Sequence, residues 1–408
     1  MKWLVDMQAV APLFFRSERT QAGSRTLSYV PGTSVLGALA QAHQTLRRPP
    51  AEFARFFLGD AVRLSNLYPA RFADKMVRED RTPVQPLPAT ARSCKRFPGF
   101  AADAEDPRDA PHGVTDGLIP LALFALDGER NPKLMEPLRA CPRCADHRPL
   151  DHIEGFFRRA SNGTMARAQA EAAEVRTRSA ISYRIGTVKP ELLYSRAVIA
   201  AGTLFWGQWD IADAVAADFE AFIEQASEGG WIRLGNNRTR SLGRVSIGYA
   251  PRGTVDTAAA LEERVRSFST AVQAHAAAHG VKLDAPAYAP LTLTSDMILY
   301  DRLLRPRLAI TNDDLAAFPG LEGAQVMYMT GDVQRVAGWN DLWGLPRADE
   351  WAIKMGSVAF IALPDLTEAV CKALFQLQEA GLGQRRSGGY GRLVVADPIH
   401  LIRAGDYR

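Results

Sequence analysis

Leu234-Gly235-Asn236-Asn237-Arg238-Thr239-Arg240-Ser241-Leu242-Gly243-Arg244-Val245 aligns without a gap on Leu382-Gly383-Gln384-Arg385-Arg386-Ser387-Gly388-Gly389-Tyr390-Gly391-Arg392-Leu393, at a constant offset of 148 residues. Both copies open on Leu-Gly, carry an Arg four residues after that Leu, and close on Gly-Arg followed by an apolar residue. The flanking sequence repeats as well. Before the first copy, a strand-like run Gly202-Thr203-Leu204-Phe205-Trp206 leads into an amphipathic stretch at 212–227, with Ile211, Val215, Phe219, Phe222 and Ile223 on one face. Before the second copy, Gly356-Ser357-Val358-Ala359-Phe360-Ile361 leads into a helix predicted at 366–380, carrying Leu366, Val370, Leu374 and Leu377. Each unit therefore reads strand, helix, Gly/Arg-rich loop, strand.

Working outward, strand–helix elements upstream of each unit complete two βαββαβ halves, an α+β chain of two ferredoxin-like (RRM-like) domains. The expected boundaries are 1–252 and 285–408, joined by a helical linker at 253–284 whose long helix covers 256–279. Residues 1–11 read as the first strand. Pro31-Gly32-Thr33-Ser34 is a turn with a helix N-cap, and Val35, Leu36, Leu39 and Ala40 supply an apolar face as far as Leu46. Residues 80–115 are rich in Pro, Asp and Gly and read as irregular, within an insert at about 80–155 in the first domain. A helix is predicted at 164–175.

The composition is that of an ordinary globular chain: 408 residues, 47% hydrophobic, 23% charged, net charge +4. That excludes collagen-like, disordered and disulfide-scaffold classes. The near-neutral sum hides 41 Arg against 8 Lys. A GC-rich genome is one explanation of that excess; placement is the more informative test. Three windows, 175–190, 229–255 and 381–396, contain several cations and no acid. Four Cys are too few for a secreted disulfide framework. The N-terminus lacks a signal-peptide apolar region, and no uncharged apolar run approaches membrane-spanning length, so a cytoplasmic protein is expected.

The Gly/Arg loops suit anion binding. Glycine permits positive φ and close backbone approach, successive N–H groups can cradle an anion, and Arg binds phosphate through a planar fork. The candidate RNA-binding residues are Arg184, Gly235, Arg238, Arg240, Ser241, Gly243, Arg244, Arg385, Arg386, Gly388, Gly389, Gly391 and Arg392. The plain alternative for one such loop is a solvated turn; two copies in one context weigh against it. No Walker A loop occurs, and a dinucleotide fingerprint would open a helix, whereas these loops follow one. Nearby aromatics Tyr183, Tyr194, Trp231 and Tyr390 could stack bases or fill the core.

Cys141-x-x-Cys144 is a half-site for zinc, with Cys94 a third thiolate and His112, His147 and His152 competing for the fourth place. Such a closed set has no open position for substrate and reads as a structural staple. Cys371 reads as a buried core residue. Catalytic signals are sparse. His43, near the end of the first helix, is either a surface histidine or the acid–base group of a ribonuclease. His275 and His279 lie one helical turn apart without a third ligand, and Asp332 after Gly331 is a lone loop acid.

These residues resemble the RAMP superfamily of CRISPR-associated proteins, whose hallmark is a Gly-rich loop after the second helix of a ferredoxin-like domain. Tyr29-Val30-Pro31-Gly32-Thr33-Ser34-Val35-Leu36-Gly37-Ala38-Leu39-Ala40 looks like that family's lead into its first helix. Ser93–Phe100, His112-Gly113-Val114-Thr115-Asp116, Cys141-Pro142-Arg143-Cys144, Ser295–Leu299 and Val336–Arg347 resemble the Csx-ten-type subunit of type III-D effectors. The chain departs from the pattern at Gly37, where the family usually places Arg, and at Asn236-Asn237, which replace glycines. The resemblance implies a non-catalytic subunit that holds the 5′ repeat-derived handle of the guide RNA. Its implied partners are a large polymerase-like subunit, backbone RAMP subunits and, indirectly, target RNA, with no membrane. It implies His112 as the fourth ligand of a structural Zn²⁺, with His147 next in line. Repeat-processing ribonucleases of the same superfamily place a histidine as His43 is placed, which makes an endoribonuclease the alternative reading.

Overall fold

A computed structural model describes residues 1–20, 23–72, 82–104, 110–160, 163–168, 173–181, 188–236, 238, 241–252, 256–340 and 345–402. Arg184, Arg240 and Tyr183 lie outside the described residues. The chain is mixed α and β, with small antiparallel sheets, and divides into two compact units.

Unit 1 comprises Met1–Arg71, Ala168–Gly253 and Ser387–Gly389. Its elements are β1 (Lys2–Ala9), α1 (Gly32–Thr45), α2 (Pro50–Phe57), β2 (Val62–Arg63), β3 (Tyr68–Pro69), β4 (Leu204–Ile211), α3 (Asp213–Glu228) and β5 (Val245–Arg252). The main sheet runs β5-β1-β4-β2, with β3 also on β4, and every pairing is antiparallel. Strict alternation along β1 buries Trp3, Val5, Met7 and Ala9 on one face. They meet Val35, Leu39 and Ala42 of α1, Phe56 of α2, and Phe219, Phe222 and Ile223 of α3. The α3 face read from sequence is the buried one.

Unit 2 comprises Phe72–Arg167, Thr254–Arg386 and Tyr390–Arg408. It contains α4 (Ala258–His279), β6 (Ala287–Leu293), α5 (Asn312–Ala316), β7 (Gln325–Thr330), β8 (Val358–Leu363), α6 (Glu368–Ala380) and β9 (Leu393–Val395). Its sheet order is β7-β8-β6-β9, again antiparallel throughout. Thr257 caps α4 by accepting from the Ala260 N–H at 3.1 Å, and left-handed Gly280 ends it. Thr367 caps α6 in the same way.

Two expectations meet a different arrangement. The stretch predicted as a linker is a packed element, because Leu261, Val265, Phe268, Val272 and Ala276 bury one face of α4 in the cores of unit 2. The insert interrupts unit 1 in sequence, yet residues 72–167 pack with unit 2. A third is overturned. The helix predicted at 164–175 is instead two strands, Met165–Ala168 and Glu174–Ile181. The second pairs with Val188–Val198, and such pairing overrides the helical propensity of an Ala/Glu-rich stretch.

Candidate functional site

The two Gly/Arg loops close on identical backbone scaffolds. In the first, the Leu234 N–H donates to the Gly243 carbonyl (2.8 Å), Asn236 to Phe14 (2.8 Å) and Gly243 to Pro12 (3.0 Å). The Arg244 carbonyl accepts from Val10 and Ala11 at 2.9 and 3.0 Å. In the second, Leu382 donates to Gly391 (2.9 Å), Gln384 to Ile298 (3.0 Å) and Gly391 to Asp296 (2.8 Å). The Arg392 carbonyl accepts from Thr294 and Ser295 at 2.9 and 3.4 Å. Each loop thus lies against the segment leaving the first strand of its sheet.

That geometry assigns the glycines. Gly235 and Gly383 take φ of +77° and +83°, and a Cβ on either would collide with the Phe14 or Ile298 carbonyl. Gly243 and Gly391, at +90° and +72°, leave no room for a Cβ against the Leu234 and Leu382 carbonyls. The close approach that requires glycine is to the chain's own backbone, rather than to a ligand as read from sequence. The N–H groups of Leu234, Asn236, Gly243, Leu382, Gln384 and Gly391 are spent inside the fold. Ser241, with φ of 62°, and Gly389, with φ of 91°, share a left-handed backbone at the repeat offset. Gly389 and Gly388 are counted with unit 1, where Gly389 stands against the Leu64 carbonyl and the Gly388 carbonyl faces Gly32.

The arginines differ between copies. Arg244 and Arg233 are exposed and face each other across an antiparallel bridge; Arg238 is half-buried. Arg385 is ion-paired with Glu350, and the Arg386 Nη1 donates to the Ala380 carbonyl at 3.4 Å. Arg392 is half-buried. Two of the three windows are thus acid-free in sequence only. Glu350 reaches Arg385 from a distant strand, and Glu174, one residue outside the first window, pairs with Arg176 at 3.0 Å. Trp231 is 48% exposed, with its ring over Gly229. Tyr390 is mostly covered, beside Ile298, Val336 and Ala352, and burial pushes its hydroxyl up to about 12.

His43 is neither at the surface nor open to a substrate. Its exposure is 1%, and its ring is boxed edge-on by Phe53, Phe56, Phe57 and Phe222. Its Nε2 lies 3.6 Å from Glu52, which accepts from the Arg48 guanidinium. Burial holds this imidazole below its ordinary value, against the pull of Glu52. His275 and His279 stack at 4.5 Å on α4. Asp332 is exposed and pairs with Lys354 at 3.5 Å. Cys371 is buried in α6.

The insert brings Cys94, His112, Cys141 and Cys144 together, with all four donor atoms within 4.8 Å of one another. The Cys94 and Cys144 sulfurs are 3.6 Å apart, and the His112 Nδ1 lies 3.3 and 3.4 Å from the Cys141 and Cys144 sulfurs. These distances are close to the ligand–ligand spacings of one tetrahedral ion, roughly 3.5–3.8 Å for sulfur and imidazole donors. The set could hold a metal ion, and His147 is not a member of it. The donor chemistry fits a cation. Backbone N–H groups of Phe97 and Arg96 hold the Cys94 thiol below its ordinary value despite burial. Burial and its two sulfur neighbours push Cys144 up to about 12. One thiolate opposes the next unless a positive charge sits among them. Burial, with Arg143 and Arg96, lowers His112 and favours the neutral imidazole that ligates.

Among the described residues, no helix is long and apolar enough to cross a membrane. No protein-family model and no curated protein matches the chain. Among solved structures it is similar to a chain of the type III-B Cmr-beta complex bound to cognate target RNA, at 12% identity and TM-score 0.44, covering 96% of each chain. It is likewise similar to a chain of that complex bound to cognate target RNA and AMPPnP, at 12% identity and TM-score 0.42, covering 92% of this chain and 88% of that one. A third similarity, at 10% identity and TM-score 0.32, is to a chain of the apo type III-B Cmr-beta complex, covering 61% of this chain and 97% of that one.

Proposed function

We propose that this chain is a non-catalytic, guide-RNA-binding subunit of a type III-D CRISPR interference complex, built from two ferredoxin-like RAMP domains. In this reading it holds the 5′ repeat-derived handle and joins the large polymerase-like subunit to the backbone RAMP subunits, in the cytoplasm. The observation that carries it is the duplicated loop: one backbone scaffold, twice, each carrying arginines after α3 or α6 of its unit. The matching strand orders β5-β1-β4-β2 and β7-β8-β6-β9 support the two-domain reading. The family-like motifs at 29–40, 93–100, 112–116, 141–144 and 336–347 support the choice of family. The ion is zinc, held by Cys94, His112, Cys141 and Cys144, and it cross-links the insert without taking part in a reaction.

The test follows from the charges. Arg385 is already paired with Glu350, so the first loop is the one to test. Replacing Arg238, Arg240 and Arg244 together by Ala should weaken binding of a single-stranded repeat RNA. It should also flatten the plot of log affinity against log salt by about 2, since each lost phosphate contact removes roughly 0.7. Fluorescence anisotropy at four salt concentrations reads both effects. Unchanged affinity and slope would overturn the assignment.

A further inference from the structure

The described surface carries one outstanding pair of exposed aliphatic side chains, Leu303 at 72% and Leu304 at 79%, at the tip of a short hairpin in unit 2. The hairpin arms are Leu299–Tyr300 and Pro306–Arg307. The tip is built rather than loose. The Asp301 N–H donates to the Arg305 carbonyl at 3.0 Å, and the Leu304 N–H to the Asp301 carbonyl at 3.0 Å. The Asp301 carboxylate accepts from the Leu303 N–H (2.8 Å), the Arg305 N–H (2.9 Å) and the Arg305 Nε (2.6 Å). At the base, Arg307 is clamped by Asp314, and the Tyr300 hydroxyl donates to Glu350 at 2.9 Å.

This order is held against two opposing costs. Leu304 sits at φ +59°, a left-handed backbone that a leucine rarely adopts, and it points an apolar side chain at water. Strain kept in an otherwise well-bonded turn is characteristic of positions that present a side chain to something else. The charge around the leucines is positive. Arg302 is exposed, and the Arg305 side chain is 73% exposed although its Nε pairs with Asp301, the single acid of the tip, which also accepts from the turn's N–H groups.

We infer that the Leu303–Leu304 tip is a protein-docking anchor, which seats in an aliphatic pocket of a partner subunit whose rim carries carboxylates complementary to Arg302 and Arg305. RNA fits this tip less well. Leucine has no π face on which a base could stack and no donor for a phosphate, whereas preorganised aliphatic groups ringed by charge match the core-and-rim pattern of protein interfaces. The inference rests on the reading of the chain as an assembly subunit, and it adds where one partner engages.

The test uses the full chain, co-expressed with the protein products of its neighbouring genes and their repeat RNA. Benzoylphenylalanine placed at position 303 should crosslink to one protein subunit. Leu303→Ser with Leu304→Gly should lower retention of that subunit at least tenfold in native mass spectrometry. Leu304→Gly alone removes both the strain and one anchor. It should therefore raise the unfolding midpoint while weakening retention, a combination that a merely structural role would not produce. Repeat-RNA affinity of the isolated chain should stay at the wild-type value in these variants. Crosslinks to RNA, or to nothing in the assembled complex, would overturn the docking inference. Wild-type chain that binds no repeat RNA would instead overturn the function proposed above.

Discussion

Asp296 shows how a residue unremarkable in sequence acquires its character from packing. It is 5% exposed beneath the second Gly/Arg loop, accepting from the Met355 N–H at 2.8 Å and from the Gln334 side chain. Burial pushes its carboxyl up to about 6, against those two hydrogen bonds and the charge of Lys354. An unfolded chain would titrate it near about 3.9. Between those values the folded state holds the proton more tightly, so stability is full below the lower value and is lost as pH rises through the upper one. Asp296→Asn keeps the shape and removes the charge. The stability of this variant relative to wild type should rise by about 2 kcal/mol between pH 4 and pH 7.5, then level off. Urea midpoints across that range measure it, and a flat difference would contradict the burial argument. At this scale the sequence was a partial guide. The Cys141 and Cys144 half-site was legible because its spacing is local, with Cys94 as a further candidate thiol. The pairing of Arg385 with Glu350 was not, because window counting cannot see an acid delivered by another strand. The phenylalanine box around His43 was hidden likewise, since it draws on two other helices, α2 and α3.

At the scale of elements, the repeat is what a sequence can reveal, and its reason is what it cannot. The offset of 148 residues, the helices at 213–228 and 368–380 and the strands that precede them were all readable from periodicity and the Gly-Arg pattern. The acceptors that make the glycines necessary were not. Pro12-Leu13-Phe14 and Asp296-Met297-Ile298 share no residue identity, because what they offer the loops is their carbonyls. The same blindness explains the strands at 165–168 and 174–181, where Ala-rich residues pair as strands for reasons that lie in their partners. A direct consequence follows for substitutions. Gly235→Ala and Gly383→Ala each force a Cβ into a carbonyl at positive φ, and each should cost about 2 kcal/mol or more. Gly37→Ala, inside α1 with nothing within 4 Å of the added methyl, should instead stabilise by about 0.5–1 kcal/mol. Denaturant unfolding of the three variants decides the matter: equal, small effects at all three positions would mean that the loop glycines are ordinary turn residues.

At the scale of the whole molecule, the insert is fastened at two places by different chemistry. Its far end gathers on Cys94, His112, Cys141 and Cys144. Its root is held by a buried polar chain. Thr90 donates to Asp116 at 2.5 Å, Asp116 meets the His400 Nδ1 at 2.9 Å, and the His400 Nε2 meets Thr292 of β6 at 2.6 Å. Asp116 also accepts from the Leu118 N–H at 2.9 Å, at the head of the helix Leu118–Leu126, whose Leu118, Ala122 and Leu123 pack beside Phe268 and Val272 of α4. Nothing in that root requires a metal. Around the cysteines, by contrast, the apolar support is small: among the described residues, Phe97 and Leu150 pack against the three buried cysteines. Losing the ion should therefore open the far end alone, as a local unfolding unit, and leave the root closed. Purified protein should contain about one zinc per chain, and Cys141→Ser should lose it. In that variant amide exchange should accelerate at 94–104, 110–113 and 140–150, with protection at 116–126 and across β6 unchanged. Exchange that rises evenly through unit 2 would show that the metal holds the whole unit rather than the tip of its insert, and metal-free protein with native exchange at the cysteines would remove the ion from the fold altogether.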